Sequence, residues 1–324
     1  MTEYVLVTGG AGYIGIHVVV ELLNSNYNVI VLDNLANSDV SFIEQIKNTT
    51  NKDIIFYEAD ISDNLDFIFA RHRIHTVIHL AGVKSVPESV KDPLKYYQIN
   101  VAGSINLLQY MEKHKCQNII YSSTACVYKP LDRPMKETDS LEPYNPYGSS
   151  KLIVENILLN SHFNYKILRY FNPIGCHSSG KILNNSLKNT TNLMTNILNH
   201  INGDLNHLTV YGNGTCIRDY IHIMDLAIAH VKIMNLKESI TLNIGTGNGL
   251  TVNNIVYHFN QLLHKEIKVD YADLRDGDIS YTCADVGLSR SKLNWRTQYT
   301  VEDMCKDTLL WAIDPLHTNF MCPK

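Results

Sequence analysis

The stretch Thr8-Gly9-Gly10-Ala11-Gly12-Tyr13-Ile14-Gly15 decides the fold. An apolar run, Tyr4-Val5-Leu6-Val7, stands just before it and is short enough for a buried strand. Ile14, Val18 and Leu22 follow at helical spacing. A glycine-rich turn between a strand and a helix gives each glycine a task. Gly9 permits the tight turn, Gly12 lets a pyrophosphate approach the backbone, and Gly15 lets the helix lie close to the strand. Free N–H groups and the positive end of the helix dipole then face the phosphates. The spacing is Gly-x-x-Gly-x-x-Gly rather than the plainer Gly-x-Gly-x-x-Gly. A second apolar run, Val29–Leu32, leads into Asp33, about 18 residues past Gly15, where an acid meets the adenosine ribose 2′-hydroxyl. That acid repels a 2′-phosphate and no arginine follows closely, so the reading is NAD rather than NADP.

At 324 residues the chain is long enough for a large core and two lobes. Hydrophobic residues make up 45% and charged residues 19%, an ordinary globular balance. A net charge of −4 with no basic stripe argues against nucleic acid or an anionic membrane surface as partner. No apolar run approaches membrane-spanning length. The chain enters a strand within a few residues, which leaves no room for a signal peptide. Seven cysteines without a Cys-x-x-Cys pair suggest reduced thiols, so the expected location is cytoplasmic. Triplets such as Asn48-Thr49-Thr50 and Asn213-Gly214-Thr215 are then accidents of an Asn- and Thr-rich sequence.

Strand and helix signals alternate along the first half. After Val29–Leu32 come a helix over Ser41–Lys47, a strand over Ile54–Glu58, a helix over Asn64–His72 and a strand over Thr76–Leu80. Ala81-Gly82 breaks the pattern where a chain would pass a cofactor. A long helix follows over Leu94–Lys115, then a strand over Asn118–Tyr121 closing on Ser122-Ser123-Thr124. Lys129–Asn145 is a proline-marked loop, Tyr147–Ser161 a helix and Lys166–Tyr170 a strand. Six strands alternating with helices imply an α/β fold, a doubly wound parallel sheet of the Rossmann-like kind. The Gly turn, Asp33, Asp60, Ala81-Gly82 and Ser122–Thr124 all fall at strand carboxyl ends, where such sheets bind ligands. The pattern changes near Asn172-Pro173. Residues 174–206 read as loop and helix, followed by strands over Leu208–Tyr211 and Ile240–Ile244 and helices over Ile223–Met234 and Val252–Leu263. The expected division is a dinucleotide-binding domain over 1–173 and a smaller mixed α/β substrate lobe over 174–324, with parts of the latter returning to the first sheet.

Tyr147 and Lys151 lie four apart on one helix face. Tyrosine is a poor base, with a reference pKa of about 10. A nearby ammonium, and the positive charge of an oxidised nicotinamide, would favour the phenolate. Lysine at this spacing can also hold a ribose hydroxyl. Among 19 tyrosines this is the single Tyr-x-x-x-Lys match, and it opens the helix after the loop that follows the fifth strand. Thr124, at the end of that strand, can bridge a substrate hydroxyl and Tyr147. His72, His75 and His79 could suggest a metal, but one sits in a predicted helix and another in a predicted buried strand, so no metal is expected.

These motifs together resemble the extended short-chain dehydrogenase/reductases and, along nearly all the chain, the UDP-glucose 4-epimerase group. The resemblance is carried by Val7–Gly15, Leu32-Asp33-Asn34-Leu35, Ala81-Gly82-Val83-Lys84, Asn145–Lys151, Leu168–Pro173 and Arg218–Leu226. It implies that Tyr147 takes the proton of the sugar 4-hydroxyl with Thr124 assisting, that C4 is transiently oxidised by resident NAD, that the keto sugar rotates, and that hydride returns to its other face. It assigns NAD contacts to Gly9, Gly12, Tyr13, Ile14, Gly15, Asp33, Asn34, Asp60, Ile61, Ala81, Gly82, Lys84, Asn100, Ser122, Tyr147, Lys151 and Tyr170. It assigns the UDP-sugar to Thr124, Tyr147, Asn172, Asn192, Leu193, Tyr211, Arg218, Arg275, Asp278 and Thr282. It also implies a homodimer formed by helices 94–115 and 147–161.

Some positions depart from the resemblance. Thr124 stands where serine is frequent, and Lys129 and Pro87 replace common glycines. Gly212–Ile217 is shorter than the acidic loop usual before Arg218, and the Asn-rich stretch 181–191 lacks the usual acidic and proline residues. Thr282 falls at the group's pocket-size position, where a small residue admits N-acetyl sugars, so UDP-N-acetylhexosamines are expected substrates as well. One rival reading is a sugar-nucleotide dehydratase or decarboxylase, yet Ser123-Thr124-Ala125-Cys126 carries no acid. Another is a non-catalytic NAD-sensing paralogue, against which Thr124, Tyr147 and Lys151 argue.

Overall fold

The computed structural model describes residues 2–182, 192–274 and 279–310. Thirteen strands are described: β1 (Glu3–Thr8), β2 (Val29–Asp33), β3 (Ile55–Glu58), β4 (Arg73–His79), β5 (Asn118–Thr124), β6 (Asn164–Tyr170), β7 (Asn172–Ile174), β8 (Leu208–Tyr211), β9 (Ile217–His222), β10 (Ile240–Ile244), β11 (Gly249–Thr251), β12 (Val269–Ala272) and β13 (Tyr281–Thr282). Seven form one parallel sheet in the order β10-β6-β5-β4-β1-β2-β3. The chain runs outward from β1 to β3, then crosses back to β4, so the order reverses between β1 and β4. A ligand crevice opens outside the carboxyl ends at that point.

Period-two alternation sorts the strand residues between two cores. Val5 and Val7 pack on one face with Ile16, Val19 and Ile223, whereas Leu6 packs on the other with Leu107, Val154 and Leu158. The sheet is therefore covered on both faces and β1 is apolar throughout its middle, as its sequence suggests. Strand β10 pairs with β6, and the helix Ile223–Ile233 packs in the same core as the helix Tyr13–Asn24, so residues well beyond 173 complete the first layer.

A second sheet is built from β11, β9 and β13, with β7 alongside β9, and β8 and β12 form a parallel pair. Ile197, Val210, Ile255, Phe259 and Met304 make the core of this lobe. Helices Gly287–Leu293 and Val301–Leu309 follow β13, the latter opened by a Thr300/Asp303 capping box. Among the described residues no helix is long and apolar enough to cross a membrane.

Several expected elements differ in extent. The helix expected over 64–72 is a single turn, Asp66–Phe69. The long helix expected from Leu94 begins as a short turn, Pro93–Tyr96, passes through a π-helical stretch, Tyr97–Ala102, and is α-helical only over Gly103–Lys113. The widened stretch contains Asn100 and re-aims its side chain toward the loop after β4.

Asp219, fully buried in β9, holds the two lobes in register. It accepts hydrogen bonds from the Thr246 N–H (2.8 Å) and hydroxyl (2.6 Å), the Gly247 N–H (2.9 Å) and the Ala284 N–H (3.1 Å). Asp219→Ala would leave those donors buried and unpaired, and should cost about 3 kcal/mol or more. The urea midpoint measures it; an unchanged midpoint would show that the cluster relaxes freely.

Candidate active site

The turn after β1 is a cradle fixed by sterics. Gly9 has φ +70°, and a Cβ there would lie 2.6 Å from the Ala81 nitrogen, so β1 and the chain leaving β4 touch at this point. A Cβ on Gly15 would strike the Gly9 carbonyl oxygen. The helix Tyr13–Asn24 starts at Gly12 with no side-chain cap, leaving its first N–H groups for a ligand. Asp33 is held beside the turn, accepting from the Ala11 N–H (3.0 Å) and the Leu35 N–H (2.9 Å). Asn34 donates to Asp60 (2.6 Å) at the neighbouring strand end, and Ile61 lies buried against Gly103. An anion-binding turn, a fixed acid at a ribose distance along the chain and an open helix N-terminus fit NAD.

Tyr147 and Lys151 reach the crevice because of how their helix begins. Asn145 caps Pro146–Leu159 by accepting from the Gly148 N–H (2.8 Å), with proline at the first position. A Cβ on Gly148 would strike the Cys126 carbonyl oxygen, so the helix start presses on the turn after β5. That contact brings the Tyr147 phenol beside the Thr124 hydroxyl. The Tyr147 ring also meets Tyr96 edge-on at 6.4 Å.

Electrostatics at the pair correct the expectation from sequence. Burial pushes the Tyr147 phenol well above its ordinary value; the Cys126 thiol adds to the rise, and the Thr124 hydrogen bond opposes it. Lys151 is not among the groups that shift the phenol, and it is itself buried. Burial pulls it down to about 8, with Glu155 working against the fall. Lys151 donates to the Ser122 carbonyl (2.8 Å), leans toward the Ser122 hydroxyl (3.4 Å) and lies 4.9 Å over the Tyr121 ring. It is anchored from behind and keeps a donor for a ribose hydroxyl.

A cavity of about 490 Å³ joins the two lobes. Tyr13, Ile14, Lys84, Thr124, Tyr147 and Tyr170 line it from the sheet side. Asn172, Asn192, Leu193, Tyr211 and Arg218 line it from the other. Eleven of the residues expected from sequence thus meet in one space. Others serve elsewhere. The Asn100 amide exchanges hydrogen bonds with Val83 (2.9 and 3.0 Å) and donates to Ser150 (2.9 Å), pinning the chain after Gly82 to the Tyr147 helix. Ser122 donates to the His79 carbonyl (2.9 Å). Thr282 is buried in β13, in register with Arg218, and is not among the side chains lining the cavity. Arg275, Asp278 and the Asn-rich positions 183–191 lie outside the described residues.

Two supports face the site from behind. Tyr170 donates to His230 Nε2 (2.6 Å); His230 Nδ1 sits 2.9 Å from the Leu226 carbonyl and must carry the proton, and burial keeps this ring neutral, with a pKa near about 4. His79 bridges the Thr8 and Ser104 hydroxyls, both at 2.8 Å. His72 and His75 pair instead with Tyr57 and Thr76, and among the described residues no three His, Cys, Asp or Glu side chains converge as a metal site would need. Cys126, beside Thr124, Tyr147 and Arg218, carries no spacing signal and was missed. Ser123, within the expected Ser122–Thr124 strand end, borders the cavity, but its hydroxyl donates to Glu155.

A doubly wound parallel sheet with a glycine cradle at its switch point and a Tyr-x-x-x-Lys helix facing a strand-end hydroxyl defines an NAD-linked protein of the short-chain dehydrogenase/reductase kind. The model of the NAD dependent epimerase/dehydratase family matches residues 5–245, and the chain belongs to that family. It is 43% identical to the UDP-glucose 4-epimerase of Bacillus subtilis (strain 168), over 95% of this chain and 96% of that one. The crystal structure of the UDP-glucose-4-epimerase from Stenotrophomonas maltophila, with NAD and formylated UDP-arabinopyranose, superposes with a TM-score of 0.91 at 39% identity, covering 95% of this chain and 97% of that one. That of the Bifidobacterium longum enzyme with NAD+ and UDP gives 0.91 at 36% identity over 96% and 98%.

If the cradle is a cofactor site, Gly15→Val should purify without dinucleotide, as read by extracting and chromatographing the bound nucleotide. A variant that retains a full complement of NAD would remove the cradle from the site.

Proposed function

We propose that this protein interconverts the C4 epimers of a UDP-hexose, UDP-glucose and UDP-galactose, with NAD as a resident cofactor. The observation that carries the reading is the Tyr147 phenol beside Thr124 on the sheet side of a cavity whose opposite wall holds Arg218, Tyr211 and Asn192. Similarity to the UDP-glucose 4-epimerases supports it.

NAD, when bound, supplies the hydride acceptor and donor for sugar C4 and a positive charge near Tyr147. Tyr147 takes the proton of the 4-hydroxyl as C4 is oxidised and returns it when C4 is reduced on its other face, so no net oxidation occurs. Thr124 bridges the 4-hydroxyl and the phenol. Lys151 orients the cofactor's ribose and favours the phenolate. Arg218, with Arg275, neutralises the UDP pyrophosphate by its guanidinium fork, and Asp278 holds the uridine ribose. Tyr211 lies beside uracil; Asn172, Asn192 and Leu193 face the pyrophosphate and sugar. Acceptance of UDP-N-acetylhexosamines rests on the sequence position of the small Thr282 alone, since its side chain is buried in β13 and does not line the cavity. The absence of an acid in Ser123–Cys126 favours epimerisation over dehydration or decarboxylation.

Two finer points belong to the same reading. Leu94, 77% exposed, together with Ile105, Ile153 and Leu159 leaves apolar surface on the helices expected to pair, which supports a homodimer. The six described cysteines are all unpaired, which supports a reducing, cytosolic setting.

Purified protein given UDP-galactose without added NAD should yield UDP-glucose; a protein that leaves the sugar unchanged overturns the reading. Tyr147→Phe should lose about 10³-fold or more in kcat while still holding NAD. Lys151 carries its charge below its pKa and loses it above, so turnover should fall as pH rises past about 8. A flat profile to pH 10 would show that the charge is not used. Sedimentation at micromolar concentration should give a dimer mass, and a monomer mass would count against the helical interface.

A further inference from the structure

Four residues beyond Lys151, on the same helix, Glu155 is fully buried. Its carboxylate accepts from the Ser123 hydroxyl, from Arg169 Nε (3.1 Å) and from Arg169 Nη2 (2.7 Å). Arg169 also donates from Nη1 to the Tyr128 hydroxyl (2.9 Å) and the Glu137 carbonyl (3.1 Å), and Tyr128 donates to Asn243 (2.6 Å). Ser123 immediately precedes Thr124 on β5, and Arg169 immediately precedes Tyr170 on β6. One carboxylate thus ties together the helix carrying Tyr147 and Lys151 and the two strands that deliver Thr124 and Tyr170.

Stability alone does not call for this arrangement. A buried ion pair costs desolvation that its attraction scarcely repays, and an apolar pair of similar volume would hold the same elements together. What an apolar pair lacks is charge beside Lys151. That ammonium is faced by the Tyr121 ring and Ser122 from β5, by His79 from β4 and by Glu155 from its own helix. His79 is neutral, pulled down to about 3 by burial. Glu155 is the anion of the set.

We propose that Glu155 is a positioning residue for the reaction, fixing the Tyr147/Lys151 helix against the ends of β5 and β6 and balancing the Lys151 charge through the fold. The proposal rests on the epimerase reading above. Loss of the carboxylate leaves burial unopposed at Lys151, so the ammonium deprotonates at lower pH.

Glu155→Gln, assayed as NAD-loaded protein with UDP-galactose, should lose about 100-fold in kcat, since a small misplacement of reacting groups costs that much, with KM altered less than about threefold. The alkaline limb of its rate profile should move down by about one pH unit. The double variant Glu155→Met/Arg169→Met removes both charges and restores apolar packing. It should match wild type in urea midpoint and NAD content and recover kcat on the acid side of its profile, yet keep the shifted alkaline limb. If Glu155→Gln does not fold, the double variant decides alone. Wild-type kcat and pH profile in a folded variant of either kind would overturn the proposal and leave a purely structural ion pair. An inactive wild-type protein would instead remove the epimerase reading itself.

Discussion

Burial of the Tyr147 phenol sets the terms for the rest of the site. A phenol in water ionises near 10, and taking it out of water makes ionisation harder still. A base working near neutral pH in that position needs positive charge close by, supplied within the same dry space. Lys151 lies one helical turn away, but it too is buried and near 8, so its cationic form is only modestly favoured at neutral pH. Lys84, its ammonium 5.9 Å over the Tyr13 ring, loses basicity by desolvation. The site works by concentrating weakened charges rather than by one strong ion pair. In a low-dielectric cavity each interaction counts for more than it would in water.

The fold supplies the rigidity this requires. The reversal between β1 and β4 opens the crevice, and the Gly9–Ala81 contact sets its width. A strap over Gly175–His177 joins the cradle to the second lobe. Tyr13 donates to the Gly175 carbonyl (2.7 Å), the His177 N–H donates to His17 (3.1 Å), and the Gly175 N–H donates to the Thr308 hydroxyl (3.1 Å). His17, buried and neutral, accepts there because its other nitrogen faces the Tyr13 carbonyl at 2.7 Å. Cofactor turn, strap and substrate lobe are thereby one connected structure.

Local signals carried the parallel sheet, and the family resemblance much of the cavity lining. Gly9 and Gly15 sit where sterics leave no alternative, and the strands of the first half are apolar runs that periodicity detects. The second sheet was harder to read because β9, β11 and β13 are short and pair across long sequence separations, as in Ile217 with Tyr281. The Val301–Leu309 helix was readable from Thr300 and Asp303 yet lies in a segment of low apolar contrast. The resemblance assigned Asn100 and Ser122 to the cofactor but not the spending of their side chains on Val83, Ser150 and His79. Spacing also found Tyr147 and Lys151 while missing the direction in which burial drives the phenol, because desolvation is a property of the packed lobes. Glu155 and Arg169 lie 14 residues apart with no motif between them, and only the β5–β6 pairing explains why both are buried.

The most direct measurement is the titration of Tyr147 itself, by the tyrosinate absorbance difference between wild type and Tyr147→Phe, with and without NAD. A phenol that ionises above the ordinary value of about 10 in the apoprotein and several units lower in the holoprotein is the result this account predicts. An ordinary value in both forms would contradict it.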